Sequence, residues 1–163
     1  MSDNANVPRF VCDRCRIPVT GFLVRVPLPA PTLSRVPPLE LDLAARADAR
    51  RPLPRMPRGA YAHELRYDRD LLRDIAILGP DAEYPLPPLG FKIHPDEASA
   101  LVTHTHRDDW ACCLGCCGPS GHNGPNLACP ACGTEVATLE ADCYTQNEVT
   151  LSPAAVALSF LDD

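Results

Sequence analysis

Ala128-Cys129-Pro130-Ala131-Cys132-Gly133 decides how this chain folds, because Val11-Cys12-Asp13-Arg14-Cys15-Arg16 repeats its pattern near the other end. Each stretch has an apolar residue, two cysteines separated by two residues, and a valine four positions after the second sulfur, Val136 in one and Val19 in the other. A Cys-x-x-Cys sequence holds two thiolates on one tight turn, so both can reach the same tetrahedral ion. Two such knuckles facing each other complete a closed four-sulfur site. The spacing therefore predicts that Cys12, Cys15, Cys129 and Cys132 share one Zn2+, with a strand leaving each knuckle at Val19 and at Val136–Leu139. Gly133 suits the position after the second sulfur, where backbone amides approach the thiolates and positive φ is common. Arg16 stands in that position in the first half and predicts a looser turn there.

Working outward, the knuckles imply a small β-rich (α+β) zinc-ribbon-like domain with short helices, its ends joined across a long insertion. Seven of the nine cysteines lie between Cys112 and Cys143, around the turn-forming run Gly118-Pro119-Ser120-Gly121-His122-Asn123-Gly124-Pro125-Asn126. A rival ligand set takes Cys113 and Cys116 with Cys129 and Cys132, but the loop between them is poor in strand formers. With the first assignment, Cys112, Cys113, Cys116, Cys117 and Cys143 are left over. The best second site among them is Cys116, Cys117 and Cys143 with His106, and His104 or His122 could take the histidine's place. Neighbouring cysteines in an extended segment point opposite ways, an objection that the Gly115-Cys116-Cys117-Gly118 turn relaxes. Buried thiols acting as small apolar residues are the plainer alternative. Iron or Cu(I) would also suit clustered thiolates. Zinc, one ion or two, is the default because it is redox-inert and commonly occupies paired knuckles.

Composition agrees with a metal staple. The chain of 163 residues has 19 prolines and only 6% aromatics, which predicts a small core and many loops. Its formal charge of −6 argues against nucleic acid as a partner. The polar start Met1-Ser2-Asp3-Asn4-Ala5-Asn6 does not resemble a secretion signal, and no apolar run suggests a membrane span. A cytoplasmic protein is expected, since paired cysteines there more often hold metal than form disulfides.

Residues 1–8 read as a flexible tail and 9–163 as a single metal-stapled domain. Phe22, Val24, Val26 and Leu28 alternate as in a half-buried strand. Residues 29–60 read as a Pro/Arg-rich loop insertion, with eight prolines between positions 27 and 58 and with Arg46, Arg50, Arg51, Arg55 and Arg58 on a solvated face. A helix is expected from Asp68 through Leu78, ended by Gly79-Pro80. Phe91 to Ile93 and Leu101 to Thr103 suggest short strands flanking a turn at His94-Pro95-Asp96-Glu97. Ser152 followed by Pro153 predicts a last short helix through Leu161.

Thr103-His104-Thr105-His106-Arg107-Asp108-Asp109 is similar to the His-x-His-x-Asp-His motif of the metallo-β-lactamase family, which holds a catalytic zinc. Asp109 replaces the last histidine, and the other ligands and strands of that family are not recognisable. No Gly-x-Ser-x-Gly elbow or phosphate-binding loop occurs.

A broader likeness covers residues 12–20 and about 90–151. Gly115-Cys116-Cys117-Gly118, Gly124-Pro125-Asn126, Cys129 to Gly133, Glu135-Val136-Ala137-Thr138 and Asp142-Cys143-Tyr144 resemble the pattern of a group of uncharacterised bacterial cysteine-rich proteins. That group has Trp where this chain has Tyr144, and lacks the extra pair Cys112-Cys113. The resemblance implies that Cys116, Cys117 and Cys143 belong to a shared pattern, and it implies no activity. The expected function is a non-catalytic structural-zinc protein serving as a protein-interaction or accessory module. The alternative is a thiol-redox or metal-handling protein using the Cys112–Cys117 cluster, and a hydrolase with zinc at His104 and His106 is a distant third.

Overall fold

Short runs of Val, Ile, Phe and Thr bounded by Pro and Gly favour strands over helices, and the computed structural model follows that preference. It describes residues 7–31, 52–65, 88–103, 118–122, 124–142 and 145–160. The strands are β1 (Arg9–Cys12), β2 (Pro18–Phe22), β3 (Val24–Arg25), β4 (Ala60–Glu64) and β5 (Gly90–Ile93), followed by β6 (Val102–Thr103), β7 (Leu127–Ala128), β8 (Glu135–Glu140), β9 (Glu148–Leu151) and β10 (Val156–Ser159). A single 3-10 turn, Pro95–Ala98, is the only helical element among the described residues, with the His94 ring accepting a hydrogen bond from the Asp96 amide as its cap. No helix among them is long and apolar enough to cross a membrane.

The strands form a three-stranded sheet in the order β10-β1-β2 and a seven-stranded sheet in the order β3-β4-β5-β9-β8-β7-β6. Within the larger sheet only β3 and β4 run parallel. The chain passes between the sheets at Leu23 and again at the turn after Leu151. Strand periodicity of two divides the larger sheet cleanly. Tyr61, Ile93, Val149 and Leu139 stand in one row, with Phe91, Leu151 and Ala137 in the next, all on the same face. They meet Phe10 and Val19 from the smaller sheet, and Leu23 from the link between the sheets, in one core cluster. The Phe10 ring sits edge-on to Tyr61 at 5.2 Å and tilted over Phe91 at 4.7 Å.

The reverse face is polar and nonetheless buried. Lys92 is fully buried, and its Nζ donates to the Pro88 carbonyl at 2.9 Å and Thr150 Oγ1 at 2.8 Å. It also pairs with Glu148 Oε1 at 3.0 Å and Glu64 Oε2 at 3.3 Å. One ammonium thus ties β4, β5 and β9 together across their backs. Arg55 adds to this cluster, its Nη1 lying 3.7 Å from Glu148 Oε2 and its Nε donating to the Pro29 carbonyl at 2.8 Å. Buried ions persist only when paired and hydrogen-bonded, and this network meets that condition for Lys92.

Several expectations are corrected here. The end of the 29–60 insertion is only in part a solvated arginine-bearing loop: Arg58 is exposed as expected, Arg55 is not, and Arg46, Arg50 and Arg51 lie outside the described residues. The Arg55 side chain is buried, Met56 is 1% exposed, and β4 has already begun at Ala60. Pro8 belongs to the fold and not to a tail, because its carbonyl accepts from the Leu23 amide at 2.8 Å. The alternation at 22–28 has the opposite phase at its start: Leu23 is fully buried, while Phe22 and Val24 are exposed. The reason is the switch of sheets at Leu23, which breaks a continuous strand in two. No helix follows Pro153. Residues 152–155 form a turn, closed by the Ala155 and Val156 amides on the Ser152 carbonyl, and Val156–Ser159 pairs antiparallel with β1. A proline-started helix is a local preference worth a few tenths of a kilocalorie per residue, and the open edge of β1 outweighs it. The expected helix at 68–78 lies outside the described residues.

Replacing Lys92 with Met should destabilise the fold by about 3–5 kcal/mol, because Glu148 and Glu64 lose their buried counter-ion. Chemical denaturation of the two proteins checks this.

Candidate metal centre

Cys12 ends β1 and Cys129 directly follows β7, so the first sulfur of each knuckle is anchored at a strand end and is fully buried. Cys15 and Cys132, the second sulfurs, are half-buried at the outer side. The two turns share one hydrogen-bond pattern. In the first, the Cys12 amide donates to the Ile17 carbonyl at 2.9 Å and the Arg16 amide to the Cys12 carbonyl at 2.8 Å. In the second, the Cys129 amide donates to the Thr134 carbonyl at 2.9 Å and the Gly133 amide to the Cys129 carbonyl at 2.9 Å.

The residue after the second sulfur is left-handed in both turns, at φ 70° for Gly133 and φ 63° for Arg16. Arg16 therefore does not loosen its knuckle. It adopts the glycine conformation at a steric cost of about 1–2 kcal/mol, and its Nη1 lies 3.7 Å from Asp13 Oδ1 on the exposed side of the turn. The surroundings impose the geometry: the Asp13 amide donates to the Ala155 carbonyl at 2.9 Å, which sets the knuckle against the turn leading into β10.

All four sulfurs lie within 4.8 Å of one another. Cys12 Sγ is 3.6 Å from Cys132 Sγ, and Cys15 Sγ is 3.5 Å from Cys129 Sγ, so each close pair joins one knuckle to the other. All four are free thiols. A zinc–sulfur bond of about 2.3 Å implies tetrahedral edges of roughly 3.8 Å, which is near these separations. The cage has the size of a tetrathiolate ion site.

The protons on these thiols are unevenly held. Cys132 is lowered to about 6, chiefly by the Thr134 hydroxyl and next by the Thr134 amide. Its sulfur lies 3.2 Å from Thr134 Oγ1. At Cys15 the Ile17 amide favours the thiolate, but burial and the three neighbouring thiols together outweigh it and push the group up to about 12. Metal-free, the cluster offers a ready thiolate on one knuckle and a tightly held proton on the other. A divalent cation entering it must displace protons, which makes its affinity rise with pH.

The structure thus brings together the four cysteines that the repeated spacing singled out. The other sequence candidates fall elsewhere. Cys112, Cys113, Cys116, Cys117, Cys143, His104 and His106 lie outside the described residues, and with them the second site and the histidine-rich motif. His122 is exposed. Thr134 was missed, although a hydroxyl two residues after a cysteine ligand is a readable sign of a thiolate acceptor.

No protein-family profile matches the chain, and no curated protein or solved structure matches it either. Fold and site by themselves define the class: a small β-rich protein with a four-cysteine cluster able to hold a metal ion.

Removing the left-handed strain should be visible in stability. Arg16→Gly should stabilise the protein by about 0.5–1 kcal/mol and Gly133→Ala should destabilise it by about 1 kcal/mol, as read by denaturant unfolding at fixed zinc concentration.

Proposed function

We propose that this chain is a non-catalytic structural-zinc protein, zinc-ribbon-like in its paired knuckles, that presents a metal-fixed surface to another protein. The observation that carries the reading is the cross-knuckle sulfur cage, which joins Cys12 and Cys15 to Cys129 and Cys132 with matched turn geometry. Four sulfurs complete a tetrahedral shell, so no coordination position is left for substrate or water, as catalysis would require. Zinc is the natural occupant of such a shell and carries no redox chemistry of its own. Reduced, unpaired thiols fit a reducing compartment such as the cytoplasm.

An accessory role follows from what the ion would hold in place. The first knuckle leads directly into Ile17, Phe22 and Val24, which are 44%, 41% and 55% exposed. Three large apolar side chains held outward on a metal-anchored stretch are suited to a protein partner, and pre-organisation lowers the entropic cost of binding. The acidic chain makes nucleic acid a poor partner.

Native mass spectrometry with elemental analysis tests the centre. Cys129→Ser should lower the zinc content by one ion per chain, and chelation should abolish the cooperative melt, since structural zinc contributes roughly 10–16 kcal/mol of apparent binding energy. A wild-type chain that is metal-free and melts unchanged after chelation would refute the assignment.

A further inference from the structure

The back of the larger sheet holds a second chemical feature, unconnected with the cysteines. Glu140 on β8 and Glu148 on β9 are direct cross-strand partners on the polar face, 4% and 1% exposed. Each has a carboxylate oxygen, Oε2, that is sealed from solvent and has no hydrogen-bond partner among the described residues. Glu148 Oε2 has Arg55 Nη1 at 3.7 Å, within ion-pair reach but beyond a hydrogen bond. Glu140 has no ion pair among the described residues. Cross-strand partners have Cβ atoms about 4.5–5.5 Å apart, so the two short arms can bring their carboxyl groups together.

Among the described residues, the charged groups that act on Glu140 are Lys92 on β5, Glu148 on β9, Glu64 on β4 and Arg55 on the segment before β4. With all of them ionised, three carboxylates oppose two cations. One proton between Glu140 and Glu148 would neutralise the excess and satisfy both orphaned oxygens at once, because a protonated carboxyl donates where a carboxylate accepts. We propose that Glu140 holds this proton and donates it to Glu148 Oε2, and that the resulting bond latches the glycine-rich loop 118–122 onto the sheet.

The loop is pressed directly on Glu140. A Cβ at Gly121, whose φ is 72°, would stand 2.6 Å from Glu140 Cγ and 2.9 Å from Thr138 Cγ2. The Ala141 amide donates to the Pro119 carbonyl at 2.8 Å, closing the loop over the next residue of the chain. When the proton leaves for solvent, two carboxylate oxygens face each other without a donor. Only water can relieve them, and water reaches them when the loop lifts. Burial foremost, with Glu148 and Glu64 adding to it against Lys92 and Arg55, raises Glu140 to about 7. A folded-state value above the unfolded one means that this stabilisation is complete below the ordinary carboxylate range and is lost as pH rises through about 7.

Carboxyl-carbon NMR titration of Glu140 and hydrogen exchange at the Ala141 amide, both on the full metal-loaded chain from pH 5 to 9, test the latch. The expected results are a Glu140 midpoint near 7 and Ala141 protection that falls by up to about tenfold per pH unit above it. Glu140→Gln keeps a neutral donor and should abolish that fall. A midpoint in the usual carboxylate range would overturn the proposal even if the variant does not fold. So would an Ala141 protection profile unchanged in Glu140→Gln, which would assign the pH response to a histidine.

Discussion

Two turns far apart in sequence place four sulfur atoms within one ion's reach, and most of the described structure is arranged to make that possible. Bringing such distant segments together carries a loop-closure entropy that grows only slowly with length, so the long stretch between them is a smaller obstacle than it looks. What holds the knuckles at the right separation is the strand pairing behind them. β1 carries Cys12, its partner β10 carries the chain back past the same knuckle, and β7 delivers Cys129 beside β8. Cys12 and Cys129 are themselves members of the hydrophobic cluster. Core and cage are therefore continuous, and each supports the other in a chain with few aromatics.

The larger sheet solves a different problem on each face. Its front is an ordinary apolar surface, packed against Phe10 and Val19 of the smaller sheet and Leu23 between the sheets. Its back buries Lys92, Glu148, Glu140, Thr138 and Thr150. A polar buried face is less tolerant than an apolar one, because every group needs a partner of the right kind. It is also more specific: Lys92 fixes the mutual register of three strands through four acceptors. Arg55 and the Asn147 side chain, whose Nδ2 donates to the Pro52 carbonyl at 2.8 Å, bind the end of the proline-rich insertion to the same surface.

What could be read in the chain depended on how local the signal was. The knuckles were legible because ligand spacing on a single tight turn is a property of a few consecutive residues. The strand expected at Val136–Leu139 was legible as the segment leaving the second knuckle, and the one at Phe91–Ile93 from its two apolar residues flanking a polar one. β4 escaped notice, since Ala60-Tyr61-Ala62-His63 carries no strong pattern and becomes a strand by pairing with β3 on one side and β5 on the other. The buried role of Arg55 was hidden for the same kind of reason: its partner Glu148 lies far along the chain, and nothing near Arg55 announces it.

The residues alone determined the cysteine pairs, the left-handed position at Gly133, and a chain inclined to short strands. Only the tertiary structure decided that Arg16 would take a glycine's conformation, that Val156–Ser159 would be a strand and not a helix, and that Glu140 would lie sealed beside Glu148. The division has one physical cause. Turn geometry and side-chain alternation are settled between neighbours in sequence. Strand edges, charge burial and backbone strain are settled by partners that sequence distance does not reveal.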